Sequence, residues 1–471
     1  MEDGSGFEDR AYEEELKNSL NRFNEMESSD KEYFFDINQF EALFDYFLER
    51  GEWEISDKIL RMANKQHPKS NSINIREAHL NLALGKVNSA LSILNKAEKL
   101  EPYSVDIILL KAQAYSQIHM PKKAIQYFEM ALKSSVENKS EIMLDIAMEY
   151  EEIVEFGKAI EILKKLLKEE PNNEIALHEI SHCYELENKT LGGIDFFKRF
   201  LDENPFSASG WFILGEMYMR VENNKEAVES FDYAIAIDEE YAHAYFNKGI
   251  VFANKSDFIS ALKCFLSCAE YEGMNPLTTC YIGECYEKTG EFEYALEYYN
   301  KVLELDDRWS DAWMGKAVVY NLMDKPKIAI KMIKNAIKSI PDNYEYLVFE
   351  AVLHGKIGDF ENAINGFEKS INILPDNDKA WLEYADFMYN YKGSSSALEI
   401  MREGLIFNEE NVEFNYRMVA YLLQEGKESE ALMFLEEALD LDYDEHYLLL
   451  DYFPEAINNQ NINQLLEIYK T

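Results

Sequence analysis

Between Ile37 and Glu445 a small residue returns every 34 positions, and this spacing constrains the fold more than any other property of the chain. Ser56, Ala90, Ala124, Ala159, Gly193, Ala227, Ala261, Ala295, Ala329, Ala363, Ala397 and Ala431 mark it, with one extra residue near Ser134–Lys139. Segments begun at Ile37, Asn71, Val105, Ser140, Glu174, Ala208, Ala242, Pro276, Ser310, Tyr344, Asp378 and Val412 place all twelve at position 20. Position 8 is small in ten of these segments, as Ala78, Ala112, Ala147, Ser181, Gly215, Gly249, Gly283, Ala317, Ala351 and Ala385; Phe44 and Val419 depart at the two ends. A period this long predicts one supersecondary unit copied along the chain, with atypical copies at the ends.

The segment Ala208–Tyr241 shows the unit in full. Trp211, Leu214, Gly215 and Tyr218 occupy its first half, and Ala227, Phe231 and Ala234 its second. The spacing predicts two short antiparallel helices, neither able to bury its apolar stripe alone. Small residues at positions 8 and 20 let the backbones approach, and Trp211, Tyr218 and Phe231 fill the space around that contact. Truncating a buried aromatic of this kind to Ala should cost roughly 3–5 kcal/mol. Proline at position 32 in half the units (Pro68, Pro102, Pro171, Pro205, Pro341, Pro375) stops the second helix.

These positions resemble the tetratricopeptide repeat (TPR) family over most of the chain. The resemblance implies an all-α solenoid, a right-handed superhelix of about twelve helix-turn-helix units at 37–445 with a groove lined by the first (A) helices. It also implies a non-enzymatic scaffold or adaptor that binds protein or peptide segments. Residues 1–36, with Glu13-Glu14-Glu15 and few apolar positions before Tyr33-Phe34-Phe35, read as a mobile or loosely helical acidic leader. Residues 446–471 read as a closing helical pair built on Leu448, Leu449, Tyr452, Phe453, Leu465, Leu466 and Ile468. No Gly-, Ser- or Pro-rich linker interrupts residues 37–471, which read as one continuous domain.

The formal charge of −41 argues against nucleic acid and anionic membranes as ligands, since both need a basic footprint. It either keeps a large surface soluble or favours basic clients. An acidic N-terminus without an apolar run, no long apolar stretch and five scattered cysteines predict a cytoplasmic protein with reduced thiols.

In the family, positions 2, 5, 9 and 12 face the groove. Phe212, Phe246, Met314 and Leu382 at position 5 are therefore expected on its floor or joined to the core, with Glu216 and Glu284 beside them at position 9. Clients combining basic and hydrophobic residues would suit such a groove. The Lys and Asn set with which some co-chaperones of the family hold a C-terminal carboxylate is missing from these positions.

Two constellations suggest metal. His178-Glu179-Ile180-Ser181-His182 matches H-E-x-x-H, with His178 and His182 on one helix face, Glu216 as a third ligand and Glu179 as base of a metal-dependent hydrolase. Ile180, Ser181 and Tyr184 sit at repeat packing positions, which explains the stretch without metal. Cys264, Cys268, Cys280 and Cys285 lie close enough in sequence to hold zinc, yet Cys268 occupies the small core position 27. No phosphate loop, nucleophile elbow or dinucleotide fingerprint is present, and no cofactor is expected. Self-association of a structural solenoid is the remaining alternative.

Overall fold

Helices open at Ile37, Asn71, Val105, Lys139, Glu174, Ala208, Ala242, Pro276, Ser310, Tyr344, Asp378 and Val412. These are the first residues of the 34-residue frame, with Lys139 one place ahead of Ser140. The structure, a computed structural model, describes residues 5–29, 32–134, 138–408 and 410–470, and side chains from Glu14 onward except Glu27. Among the described residues every regular element is helical and the fold is all-α. Residues 135–137, in the loop expected near Ser134–Lys139, lie outside the described residues, as do residues 1–4 of the leader.

Two local devices set the hairpin geometry. Ser70, Asn173, Ser207, Asn275, Asn343, Asn377 and Asn411 each stand just before an A helix, and each side chain accepts from the backbone N–H three residues on. Such a cap is worth about 1 kcal/mol to its helix. The second device is the turn into the B helix. Its position 15 has positive φ in eleven repeats: Gly51, Gly85, His119, Val154, Asn188, Glu222, Ser256, Gly290, Asp324, Gly358 and Gly426.

Packing within a hairpin explains the small residues. A Cβ on Gly215 would lie 2.6 Å from the Phe231 ring, one on Gly249 2.7 Å from Phe265, and one on Gly283 2.9 Å from Tyr299. The glycine of each helix A thus admits the ring at position 24 of its helix B. Elsewhere an Ala usually meets an aliphatic residue, as with Ala147 and Leu163, both at most 1% exposed. Ala112 with Phe128 shows that a ring can also be housed without the glycine. All ten alanines at position 20 are fully buried, Ala227, Ala261 and Ala295 among them. Neighbouring repeats are tied by position-4 tryptophans. The indole N–H of Trp211 donates to the Pro205 carbonyl (2.9 Å), Trp313 to Asp307 (2.8 Å) and Trp381 to Pro375 (2.8 Å).

The chain gathers into two compact units, residues 1–238 and 239–471, where the unbroken frame predicts one continuous domain. The frame reports hairpin construction, which is local, and passes through this division unchanged. In the first unit a helix over Ser5–Ser28 lies against the opening hairpin. Phe23 meets Phe47 at 5.7 Å between ring centroids, and Phe35 is fully buried while Phe34 stays exposed. In the second unit Tyr447–Tyr452 and Gln460–Tyr469, joined by a 3-10 turn at Pro454–Asn458, bury Leu449, Ala456 and Ile462 against the last repeat.

Candidate functional site

Repeat Asp378–Asn411 breaks the turn rule, and the break builds the site. Its A helix runs Asp378–Lys392, 15 residues against 13 in Tyr344–Lys356 and Val412–Gln424. Lys392 takes no left-handed turn; Gly393 follows at φ 94°, ψ 178°. The two added residues, Tyr391 and Lys392, prolong the helix beside the preceding repeat. There Tyr391 stacks on Phe360 at 4.0 Å between centroids, and Phe387 approaches Phe360 at 6.2 Å. Opposite them stands Gly355, the single glycine at position 12 of the twelve repeats. A Cβ there would meet the Phe387 ring at 3.0 Å. The result is a groove of about 610 Å³ lined by Val352, Gly355, Lys356, Phe360, Glu383, Asp386, Phe387, Asn390 and Tyr391.

The charges in this groove differ in how firmly they are held. Asp386 is bound by the Arg417 guanidinium and by the Tyr421 hydroxyl at 2.6 Å. Arg417 in turn bonds Glu413 at 2.9 Å and lies over the Tyr452 ring. Lys356 turns its ammonium to the Asn321 side-chain oxygen at 2.8 Å. Among the described residues Glu383 has no ion-pair partner: burial, then the neighbouring Asp386, push its pKa up, and the Arg417 charge offsets this only in part. An aromatic shelf beside a carboxylate of raised pKa suits an ammonium or guanidinium on an aliphatic stem, which would restore the ionised form.

The residues expected on the groove floor or in the core divide by burial. Phe212 and Leu382 are each 6% exposed and belong to hairpin cores. Within their hairpins Phe212 meets the Phe231 ring at 5.9 Å and Phe246 meets the Phe265 ring at 5.5 Å. Phe246 is half-buried, and Met314 packs beside Ile330 and Ile333. Glu216 and Glu284 are half-buried at position 9, and burial raises the pKa of Glu284.

Neither metal constellation assembles. Among the described residues the single group of three close donors is Glu151, Glu179 and His182, within 4.8 Å of one another. His178 and Glu216 stand outside it. The His178 ring leans toward Phe212 at 6.5 Å, while His182 turns to Glu151 of the preceding repeat, 4.0 Å away. The H-E-x-x-H spacing therefore reads as two imidazoles directed to different neighbours, and the hydrolase geometry is corrected by this. Glu151 accepts from the Cys183 thiol at 3.2 Å. The four other cysteines do not converge either. Cys264, Cys268 and Cys285 are buried, Cys268 faces Thr278 at 3.8 Å, and burial pushes the Cys280 and Cys285 thiols up to about 12. Among the described residues no helix is long and apolar enough to cross a membrane.

Comparison with known proteins agrees with the hairpin construction. Family models described as "Tetratricopeptide repeat" match residues 208–241 and 278–308. A TPR repeat-containing protein of Methanocaldococcus jannaschii is 26% identical over 333 residues, covering 69% of this chain and 54% of that protein. The chain thus spans about half the length of that relative. The TPR repeat-containing protein YpiA of Bacillus subtilis is 20% identical, covering 83% of this chain and 85% of its own. The crystal structure of yeast Tom70 aligns over 92% of this chain and 95% of its own at 14% identity, with a TM-score of 0.45.

Proposed function

We infer that this chain, a tetratricopeptide-repeat protein, is a non-enzymatic scaffold that holds a segment of another protein in the groove between repeats Tyr344 and Asp378. One observation carries the reading: the repeat rule is kept nearly everywhere and broken at the place where a groove opens. A departure from an otherwise consistent pattern is expected at functional sites. The lengthened helix brings Tyr391 onto Phe360, and Gly355 leaves the groove unfilled. The client we propose is a basic and apolar segment, its cation meeting Glu383 and its aliphatic or aromatic part lying on Phe387 and Tyr391. We place the protein in the cytoplasm and propose neither nucleic acid nor membrane as the ligand of this groove, whose free charge is negative.

The test uses a fluorescent peptide, Lys-Lys-Trp-Lys-Lys, titrated against the full chain. Gly355→Leu, which fills the groove, and Tyr391→Ala, which removes its shelf without adding charge, should each abolish saturable binding while the helical circular dichroism stays native. Equal binding by wild type and both folded variants would refute the assignment.

A further inference from the structure

A second groove lies on the B-helix side of the first unit, between helices Phe156–Glu169 and Thr190–Glu203. Its volume is also about 610 Å³. Phe196 and Phe200 form an apolar wall, stacked at 6.2 Å between ring centroids. Lys164, Lys168 and Arg199 line the mouth, and Glu203 is the one acidic residue among the lining groups. Lys164 is fixed, its ammonium at 3.0 Å from the Tyr184 hydroxyl and 4.6 Å from the centre of the Phe196 ring. Arg199 gives Nε–H to its own helix, at the Asp195 carbonyl, and its side chain is exposed.

The charge balance makes this place unusual. The chain has 88 acidic residues for 47 lysines and arginines, whereas this lining sets three cations against the single carboxylate of Glu203. Ion pairs hold Arg61, Lys158, Arg220 and Lys301, among others. Yet among the described residues neither Lys168 nor Arg199 has a carboxylate within ion-pair distance. Both are exposed and both border a preformed apolar groove. Cations held beside aromatic surface and left without counter-charge recognise carboxylates on a segment that also carries an apolar side chain.

We propose that this groove is a docking site for an acidic protein segment, with an aromatic or branched side chain seated against Phe196 and Phe200 and flanking carboxylates on Lys168 and Arg199. The site is separate from the acidic groove of the second unit and has the opposite charge preference.

The probe is a fluorescent Glu-Glu-Glu-Trp-Glu-Glu-Glu peptide titrated against the full chain by anisotropy. Wild type should bind it saturably, and more weakly as salt shortens the range of the charges. Lys168→Glu with Arg199→Glu should weaken binding at least about tenfold, and the milder Lys168→Gln with Arg199→Gln should weaken it in the same direction. Lys331→Glu with Lys338→Glu makes the same charge change on exposed residues of helix Pro326–Ser339 and should leave binding intact, as should Gly355→Leu. The proposal falls if the acidic peptide does not saturate wild type. It falls equally if the Lys331/Lys338 pair matters as much as Lys168/Arg199, or if a single-stranded oligonucleotide displaces the peptide and binds more tightly.

Discussion

The two grooves have the same volume and both have an aromatic wall, yet their charges stand in opposite relations to the fold. In the second unit Asp386 is consumed by Arg417 and Tyr421, and of the two lining carboxylates only Glu383 is left to face a ligand. In the first unit the fold uses Lys164, through Tyr184, and among the described residues leaves Lys168 and Arg199 without a carboxylate in ion-pair distance. A groove whose charges are mostly internal is a rigid shape with one adjustable group. A groove whose charges face outward is an attractive field around a modest shape. The first should discriminate by fit, the second by charge and salt.

That contrast is most severely tested at Arg417. Its side chain is 10% exposed, and Arg417→Ala would leave Asp386 without its partner. Because Asp386 is itself 46% exposed, the loss should sit at the low end for a broken buried pair, about 3 kcal/mol by denaturant unfolding. A loss below about 1 kcal/mol would mean that Asp386 is as available to ligands as Glu383 is. Next in size is Gly393→Ala. At φ 94°, ψ 178° the backbone lies in a region held almost solely by glycine, so about 1–3 kcal/mol should be lost, together with peptide binding at the acidic groove. Binding at the basic groove should be untouched.

A smaller effect comes from pH. The pKa of Glu383 is raised, so its contribution to stability is full below the ordinary glutamate range and is lost as pH rises through the raised value. The unliganded second unit should weaken across that window, and Glu383→Gln should flatten the dependence. Affinity for the basic peptide should move the other way, rising as Glu383 ionises. A pH-independent affinity that survives Glu383→Gln would remove this carboxylate from the site. Smallest of all, Lys168→Ala and Arg199→Ala should change stability by no more than about 0.5 kcal/mol, since nothing in the fold uses their charges. A larger loss would return them to a structural role and erase the contrast between the grooves.

The hairpin fold was legible because its marks are local. A small residue every 34 positions implies close helices, and Gly215 against Phe231 is the contact that spacing foretold. The groove was not legible in the same way. Choosing Phe212 and Leu382 at position 5 followed the family's general facing pattern, whereas both side chains are almost wholly buried in their hairpins, Phe212 against the Phe231 ring. Two clues stood in the sequence nonetheless: the lone glycine at position 12, and Lys392-Gly393-Ser394 where other repeats place their turn residue one step earlier. The basic groove was hidden by summation. A total of −41 says nothing about helix Phe156–Glu169, which holds four lysines and two glutamates.

The glycine-to-ring contact also has an inheritance consequence. In the hairpins of Gly215, Gly249 and Gly283 the hole on one helix and the knob on the other are written 16 residues apart, and neither can be altered alone without clash or void. Gly215→Ala should be relieved either by Phe231→Leu, the pairing that Ala147 and Leu163 already use, or by a ring re-seated as Phe128 is against Ala112. Such residues ought to covary among copies of the repeat, and a hairpin duplicated or transplanted whole would carry its own solution with it.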